Sequence, residues 1–128
     1  MKLLLDTHTF IWWTGLPERL SERVANLLAQ EDNDLLLSVA SVWEMQIKIQ
    51  SGKLNLDLPL RELISTQQQT NNLQLLAIEV GDVWVLESLP AAHRDPFDRI
   101  IIAQAISQQL PIISVDGVFD GYPVQRLW

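Results

Sequence analysis

Short apolar runs alternate along the chain with longer amphipathic stretches, which is the pattern of strands alternating with helices. Four apolar runs have the length and composition of buried strands, at residues 3–5, 35–39, 73–78 and 111–115. The tail "YPVQRLW" predicts a further strand at a sheet edge, where Pro123 is tolerated. Residues 53–58 ("KLNLDL") alternate between apolar and polar, as an extended segment does.

Six helices are predicted around these strands, beginning near residues 8, 21, 38, 60, 80 and 95. Ser21 is a capping residue for the second helix, Gly52 lies just past the end of the third, and Asn71–Asn72 are stop residues for the fourth. Strands that alternate with helices predict an α/β fold, with an open, mostly parallel sheet covered on both faces. A chain of 128 residues can bury one such core, so residues 1–128 are expected to form a single domain.

Two of the most apolar strands run into aspartates, Asp6 after the first and Asp116 after the run at 111–115. Ligands of open α/β sheets sit at the carboxyl ends of the strands. Asp6 and Asp116 are therefore candidate site residues.

The stretch "HRDPFDRIIIAQA" contributes a third candidate, Asp98. Asp95 suits the N-cap of a helix, Pro96 its first position and Asp98 its third. Asp98 also leads a stripe that continues through Ile102 and Ala105 at helical spacing. An acid at the head of such a stripe is expected at the rim of the core.

Glu44, in "SVWEMQIK", is the fourth candidate and has two interpretations. In the first interpretation, Glu44 is a surface residue that pairs with Lys48, four residues further along the helix. Alternatively, because its helix is apolar nearly all round, Glu44 is buried and needs a partner elsewhere.

If the four carboxylates converge, their mutual repulsion raises their pKa values, and a bound cation would stabilise their charged forms. Hard oxygen ligands favour Mg²⁺ or Mn²⁺, and such an ion supports hydrolysis of a phosphodiester without a Ser, Cys or His nucleophile. Sixteen acids against nine bases give a formal charge of −7, which argues against a module that grips nucleic acid through a basic face.

At these residues the sequence resembles the PIN-domain family and, within it, VapC-like toxins of bacterial toxin–antitoxin pairs. The similar stretches are "LLLDTHTFIWW", "SVASVWEMQIKIQSGKL", "LPAAHRDPFDRIIIAQA", "PIISVDGVF" and "YPVQRLW", in the family's order. The resemblance implies a three-layer α/β/α fold and an Mg²⁺- or Mn²⁺-dependent ribonuclease that a protein antitoxin inhibits. It implies a homodimer, and it assigns metal binding and water activation to Asp6, Glu44, Asp98 and Asp116.

Other conspicuous residues have open roles. Asp95 is a helix cap that can still reach the cleft, and Asp120 suits a turn beside Gly121. Thr7 either contacts the metal's water shell or caps the first helix, while no role is assigned to His8 or His93. Because Trp12 and Trp13 are adjacent, at least one ring is expected to leave the core and meet a second subunit or the antitoxin. The bases nearest the acidic motifs are equally suited to RNA phosphates or to solvent: Lys48, Lys53, Arg94 and Arg99.

Two rival functions remain at the level of sequence. A Mg²⁺-dependent phosphatase on a doubly wound sheet wants a second aspartate two positions after the first, where this chain has His8. A catalytically silent binding module would use the acids only as caps and turns. The absence of cysteine, of a signal peptide and of a run long enough for a membrane helix predicts a cytoplasmic protein with no membrane partner.

Overall fold

The computed structural model describes residues 1–90 and 95–128. It contains a five-stranded sheet in which every pairing is parallel, with the strand order β3-β2-β1-β4-β5. The strands are β1 (Lys2–Leu5), β2 (Asp34–Ser38), β3 (Gln74–Leu76), β4 (Ile112–Ile113) and β5 (Arg126–Leu127). The parallel sheet and the tail strand at its edge confirm the predicted architecture.

The helices connect these strands and cover both faces of the sheet. They are α1 (Thr7–Gly15), α2 (Glu22–Ala29), α3 (Val39–Gln50), α4 (Leu60–Asn71), α5 (Val80–Val85) and α6 (Pro96–Gln108). Alternate residues of β1 separate two cores: Leu3 and Leu5 pack with α1, α2 and α4, whereas Leu4 packs with α6. The predicted three-layer α/β/α fold is therefore confirmed.

Residues with left-handed backbone end two helices as the sequence predicts. Gly52 has φ of 77° just after α3, and Asn72 has φ of 53° at the end of α4. Glycine and asparagine tolerate this conformation better than other residues, which explains why the helices stop there.

The extended segment predicted at residues 53–58 pairs with no strand; Leu54 and Leu56 turn inward against the first core, so their alternation reflects a half-buried loop. Other predicted elements are shorter in the structure. The strand predicted at 111–115 is limited to β4, because Ser114 and Val115 lie beyond its paired residues. The predicted helix at 80–89 ends at Val85 and continues only as a 3-10 turn.

The strand order creates a crevice at the carboxyl edge of the sheet. From β1 the chain proceeds outward through β2 to β3, and then returns to the other side of β1 with β4 and β5. Because of this reversal, the connections that follow β1 and β4 lead away from each other. In open α/β sheets, ligands bind in the space between two such connections. No helix in the described part of the chain is long and apolar enough to cross a membrane.

Candidate metal centre

Asp6 lies at this crevice, directly after β1, and is almost fully buried. Its Oδ1 accepts a hydrogen bond of 2.8 Å from the backbone N–H of Thr7, and its Oδ2 accepts one of 2.8 Å from Ser114 Oγ. Asp6 is thus the N-cap of α1, which excludes one of the two roles that the sequence leaves open for Thr7, that of helix cap. The Thr7 hydroxyl instead donates to Ser41 Oγ of α3, at 2.9 Å.

The electrostatic environment of Asp6 disfavours its charged form. Its pKa is raised from 3.8 to about 6, chiefly because burial removes the carboxylate from water. The hydrogen bond from Ser114 lowers the pKa, and the negative charge of Asp98 raises it. A carboxylate that is buried and repelled by a second acid is a favourable position for a cation.

Asp98 reaches the same region from the first turn of α6. Asp95 caps this helix as predicted: its Oδ1 accepts from the backbone N–H groups of Phe97 (2.9 Å) and Asp98 (3.4 Å), and Pro96 is the first helical residue. Asp98 is half-buried, at the rim of the core, and its charge acts on Asp6. Phe97 packs edge-on against Trp43, which fixes the start of α6 beside α3.

Glu44 combines both interpretations that the sequence leaves open. It is buried, only 6% exposed, and its Oε2 accepts a hydrogen bond of 2.9 Å from Lys48 Nζ. Its Oε1 is also buried and has no hydrogen-bond partner. A buried carboxylate oxygen without a donor is costly, and a bound cation would satisfy it.

Asp116 follows β4 on the other side of the crevice and is exposed. Its backbone N–H donates to Ser114 Oγ (3.0 Å), the same hydroxyl that donates to Asp6. Its carboxylate Oδ1 accepts from Val118 N–H (3.0 Å) and caps the 3-10 turn at Gly117–Gly121. Ser114 therefore connects the backbone of Asp116 to the carboxylate of Asp6, two of the predicted site residues.

The four predicted acids differ in how firmly the structure brings them together. Asp6 and Asp98 interact electrostatically, and Asp6 and Asp116 share Ser114. Glu44 lies on α3, one turn after Ser41, whose hydroxyl contacts Thr7. Across residues 1–90 and 95–128, no three Asp, Glu or His side chains form a group placed to hold one metal ion. The carboxylates of Asp6, Glu44 and Asp116 each accept a hydrogen bond from a donor of the protein itself.

The neighbouring acid Asp120 is paired with a base. Its two oxygens accept hydrogen bonds of 2.9 Å from Arg126 Nε and Nη2, and this pairing lowers the pKa of Asp120. The prediction that Asp120 is a turn residue agrees with its place in the 3-10 turn that ends at Gly121.

The adjacent tryptophans are packed within the chain. Trp13 packs against the first core beside Phe10, and Trp12 lies outside it, covered by Trp128, by His8 and by the guanidinium of Arg19. The tryptophans with free surface are instead Trp43 and Trp84, each 60% exposed. One ring of the adjacent pair, that of Trp12, thus lies outside the core as expected, and its contact with a second subunit or the antitoxin stays a prediction.

The basic residues near the acidic motifs lie in different environments. Lys48 is held by Glu44, and Arg99 donates to the carbonyl oxygens of Pro90 (2.7 Å) and Leu86 (3.5 Å). Lys53 is exposed. His93 and Arg94 lie outside the described residues.

Two hydroxyl residues of the site were not predicted from the sequence. Ser114 and Ser41 are fully buried and connect the elements that carry the acids. The one local signal is a serine two positions before Asp116 in an otherwise apolar run. A single serine in a strand indicates no particular partner, so this signal does not identify the contact with Asp6.

The family of the chain follows from comparison of its sequence with family models. Residues 3–124 match the PIN domain, and the chain belongs to this family. The match covers β1 through the segment before β5, and hence all four acids. The predicted family membership is confirmed.

Individual relatives make the resemblance more specific. The chain is 26% identical over 115 residues to Ribonuclease VapC22 of Mycobacterium tuberculosis, an alignment that covers 89% of this chain and 86% of the relative. The predicted similarity to VapC-like proteins is therefore confirmed.

Solved structures with the same fold include toxin–antitoxin complexes. VapBC2 from Rickettsia felis, bound to a DNA fragment from its promoter, superposes with a TM-score of 0.76 at 13% identity, over 99% of this chain and 98% of that one. DNA-bound VapBC from Salmonella typhimurium gives a TM-score of 0.67 at 18% identity, over 99% and 97% of the two chains. At these identities the superpositions establish the fold.

Proposed function

We propose that this protein is a divalent-metal-dependent endoribonuclease and the toxin of a toxin–antitoxin pair. In this proposal Asp6, Glu44, Asp98 and Asp116 hold Mg²⁺ or Mn²⁺ at the crevice between β1 and β4. The protein acts as a single domain in the cytoplasm on RNA phosphodiesters. The membership of the PIN-domain family and the likeness to Ribonuclease VapC22 support the reaction class.

The observation that carries the proposal is the setting of Asp6. This buried acid follows the central strand at the point where the sheet reverses, and Asp98 adds a second negative charge to its surroundings. Two acids concentrated at the usual ligand position of an open α/β sheet favour a positively charged ligand.

The donor set fits a hard divalent ion. All four proposed ligands are carboxylates, which Mg²⁺ and Mn²⁺ prefer, and Glu44 Oε1 is buried without a donor. When bound, such an ion polarises a phosphate oxygen and makes an attacking water more acidic. The four carboxylates would hold this positive charge in a protein whose net charge of −7 otherwise repels a polyanion.

The residues of the chain orient the carboxylates. Thr7 N–H and Ser114 Oγ fix both oxygens of Asp6, so its plane is set before any ligand arrives. Lys48 holds one oxygen of Glu44 and leaves the other open. Fixed carboxylates lose little conformational entropy on binding a ligand, and this preorganisation favours affinity.

The rival functions account for the site less well. In a catalytically silent binding module the acids would serve only as helix caps and turn residues. One oxygen of Asp6 and one of Asp116 do cap helices, but this role does not explain why Glu44 is buried. A phosphatase of the type considered needs a second acid two positions after Asp6, and His8 is there.

A groove beside α1 is the surface we assign to the antitoxin. It runs between α1 and the loop at residues 55–58, and its apolar lining includes Ile11, Leu16, Leu56, Leu58 and Leu63. Asp57 lies in the same groove. An apolar segment that also carries basic residues would match both this lining and the negative charge of the protein.

A second apolar surface is assigned to a second copy of the chain. On α3 the side chains of Val39, Trp43 and Ile47 follow one another at helical spacing and are exposed, and on α5 Val80 and Trp84 repeat the pattern. Both helices pack on α6, so the two exposed stripes flank the same element. Exposed tryptophans are typical of interfaces, and a surface built from paired helices suits the self-complementary contact of a two-fold dimer.

One assay separates the functions. Purified protein is incubated with a mixed RNA pool and with para-nitrophenyl phosphate, each with and without Mn²⁺. We expect Mn²⁺-dependent RNA cleavage that falls to background in Asp98→Asn and persists in Asp32→Asn, a surface control. Turnover of the phosphomonoester with intact RNA would establish a phosphatase, and inactivity on both substrates at saturating Mn²⁺ would favour the silent module.

A further inference from the structure

Arg126 on β5 holds both ends of the segment that carries Asp116. Its Nε and Nη2 donate to the two oxygens of Asp120, both at 2.9 Å, which is a bidentate pair. Its Nη1 donates to the backbone carbonyl of Ser114 at 3.2 Å. One guanidinium therefore connects residues 114 and 120, between which Asp116 lies.

Beyond Ser114, whose backbone N–H donates to the Leu127 carbonyl at 3.1 Å, the segment leaves the sheet. The paired part of β4 ends at Ile113, and Asp116 itself is exposed. The pKa of Arg126 is raised, mainly by its hydrogen bonds to Asp120 and also by the charge of Asp116, so Asp116 lies within the electrostatic reach of the guanidinium. Arg126 thus restrains the backbone around Asp116 and attracts its side chain.

We infer that Arg126 is a positioning residue for Asp116, and that Asp120 anchors Arg126 instead of binding the metal. The inference rests on the proposed function, in which Asp116 is a metal ligand. An exposed ion pair contributes little to folding stability, but a bidentate fork fixes the relative positions of its partners. Nε, Nη1 and Nη2 each donate one hydrogen bond within the segment 114–120, which is why we assign Arg126 to the protein's own loop.

The chemistry of the fork makes lysine a poor substitute. Lysine retains the positive charge but cannot donate to Asp120 and to Ser114 in the same fixed plane. Residues behind metal ligands typically change metal affinity by about 10–100-fold when they are mutated. Arg126→Lys and Asp120→Asn are therefore both expected to weaken Mn²⁺ binding by about tenfold or more.

The test is calorimetric titration of the full-length protein with Mn²⁺ alone. Arg126→Lys, Asp120→Asn and the double variant are compared with Arg23→Lys, an exposed arginine of α2. The double variant is expected to bind no more weakly than either single variant, because both break the same connection. Excess Mn²⁺ should restore RNA cleavage in Arg126→Lys but not in Asp116→Asn, which lacks the ligand itself.

The outcomes separate this inference from the proposed function. If the unmodified protein binds Mn²⁺ and both Arg126→Lys and Asp120→Asn bind it equally well, the positioning role is overturned while the nuclease proposal stands. If the unmodified protein binds no Mn²⁺, both the proposed function and this inference are overturned. Asp120→Asn changes an exposed side chain and keeps its shape, so its result does not depend on whether Arg126→Lys folds.

Discussion

The hydroxyl of Ser114 donates a hydrogen bond of 2.8 Å to Oδ2 of Asp6, across 108 positions of the sequence. The same hydroxyl oxygen accepts the backbone N–H of Asp116 at 3.0 Å. This buried hydroxyl links the ends of β1 and β4, the strands on either side of the crevice. One side chain therefore both orients Asp6 and fixes the backbone of Asp116.

Replacing Ser114 by alanine is expected to raise the pKa of Asp6 above about 6, because the hydrogen bond from Ser114 stabilises the charged form. The titration of Asp6 can be followed by carbon-13 NMR of its carboxyl group in metal-free protein. Ser51→Ala, at an exposed position after α3, is the control. A downward shift or no shift in Ser114→Ala would show that the hydroxyl does not stabilise the carboxylate.

The contribution of Asp6 to the stability of metal-free protein is expected to fall as the pH rises from about 4 to about 6. Unfolded Asp6 loses its proton near 3.8, whereas the folded state keeps it until about 6, so protonation favours the folded state in this window. Above about pH 6 the loss is complete and amounts to about 3 kcal/mol. Urea unfolding at several pH values measures this contribution as the difference between the unmodified protein and Asp6→Asn. Identical pH profiles for the two proteins would contradict the assigned pKa.

Lys48→Met is expected to destabilise metal-free protein by about 1–3 kcal/mol, because it leaves buried Glu44 without a donor on either oxygen. Mn²⁺ should then raise the melting temperature of Lys48→Met by more than that of the unmodified protein, since the ion supplies the missing positive charge. Lys53→Met, at an exposed position, serves as the control. An Mn²⁺ effect of equal size in Lys48→Met and the unmodified protein would separate Glu44 from the metal.

Trp84→Ser is expected to shift the protein from dimer to monomer, because it removes a large exposed ring from the surface of α3 and α5. Sedimentation velocity over a range of concentrations measures the change. Leu16→Ser, which alters the groove beside α1, should leave the dimer intact and weaken antitoxin binding instead. Dissociation of the dimer by Leu16→Ser, with Trp84→Ser still dimeric, would reverse the assignment of the two surfaces.

Local chemistry determines which elements the sequence predicts well. Asp95 and Pro96 start α6 as expected, because capping depends on only a few neighbouring residues. Gly52 and Asn72 mark helix ends for the same reason. The alternating pattern of strands and helices suffices for the architecture, since a parallel sheet leaves few ways to cover both faces.

Long-range contacts account for what the sequence does not predict. The donor on Asp6 comes from Ser114, and fully buried Gln104 donates to the carbonyl of Ala77 at 3.1 Å. Neither pairing has a local pattern. The extended segment predicted at residues 53–58 stays outside the sheet for a related reason: its residues alternate as in a strand, but no strand of the sheet pairs with them.

Crystals soaked in Mn²⁺ provide the most direct test that the four acids form one metal site. At a concentration of Mn²⁺ that supports RNA cleavage, we expect an anomalous scattering peak at the carboxyl edge between β1 and β4, in contact with the carboxylates of Asp6, Glu44, Asp98 and Asp116. No peak at this edge under those conditions, or a peak bound elsewhere on the protein, would contradict the account.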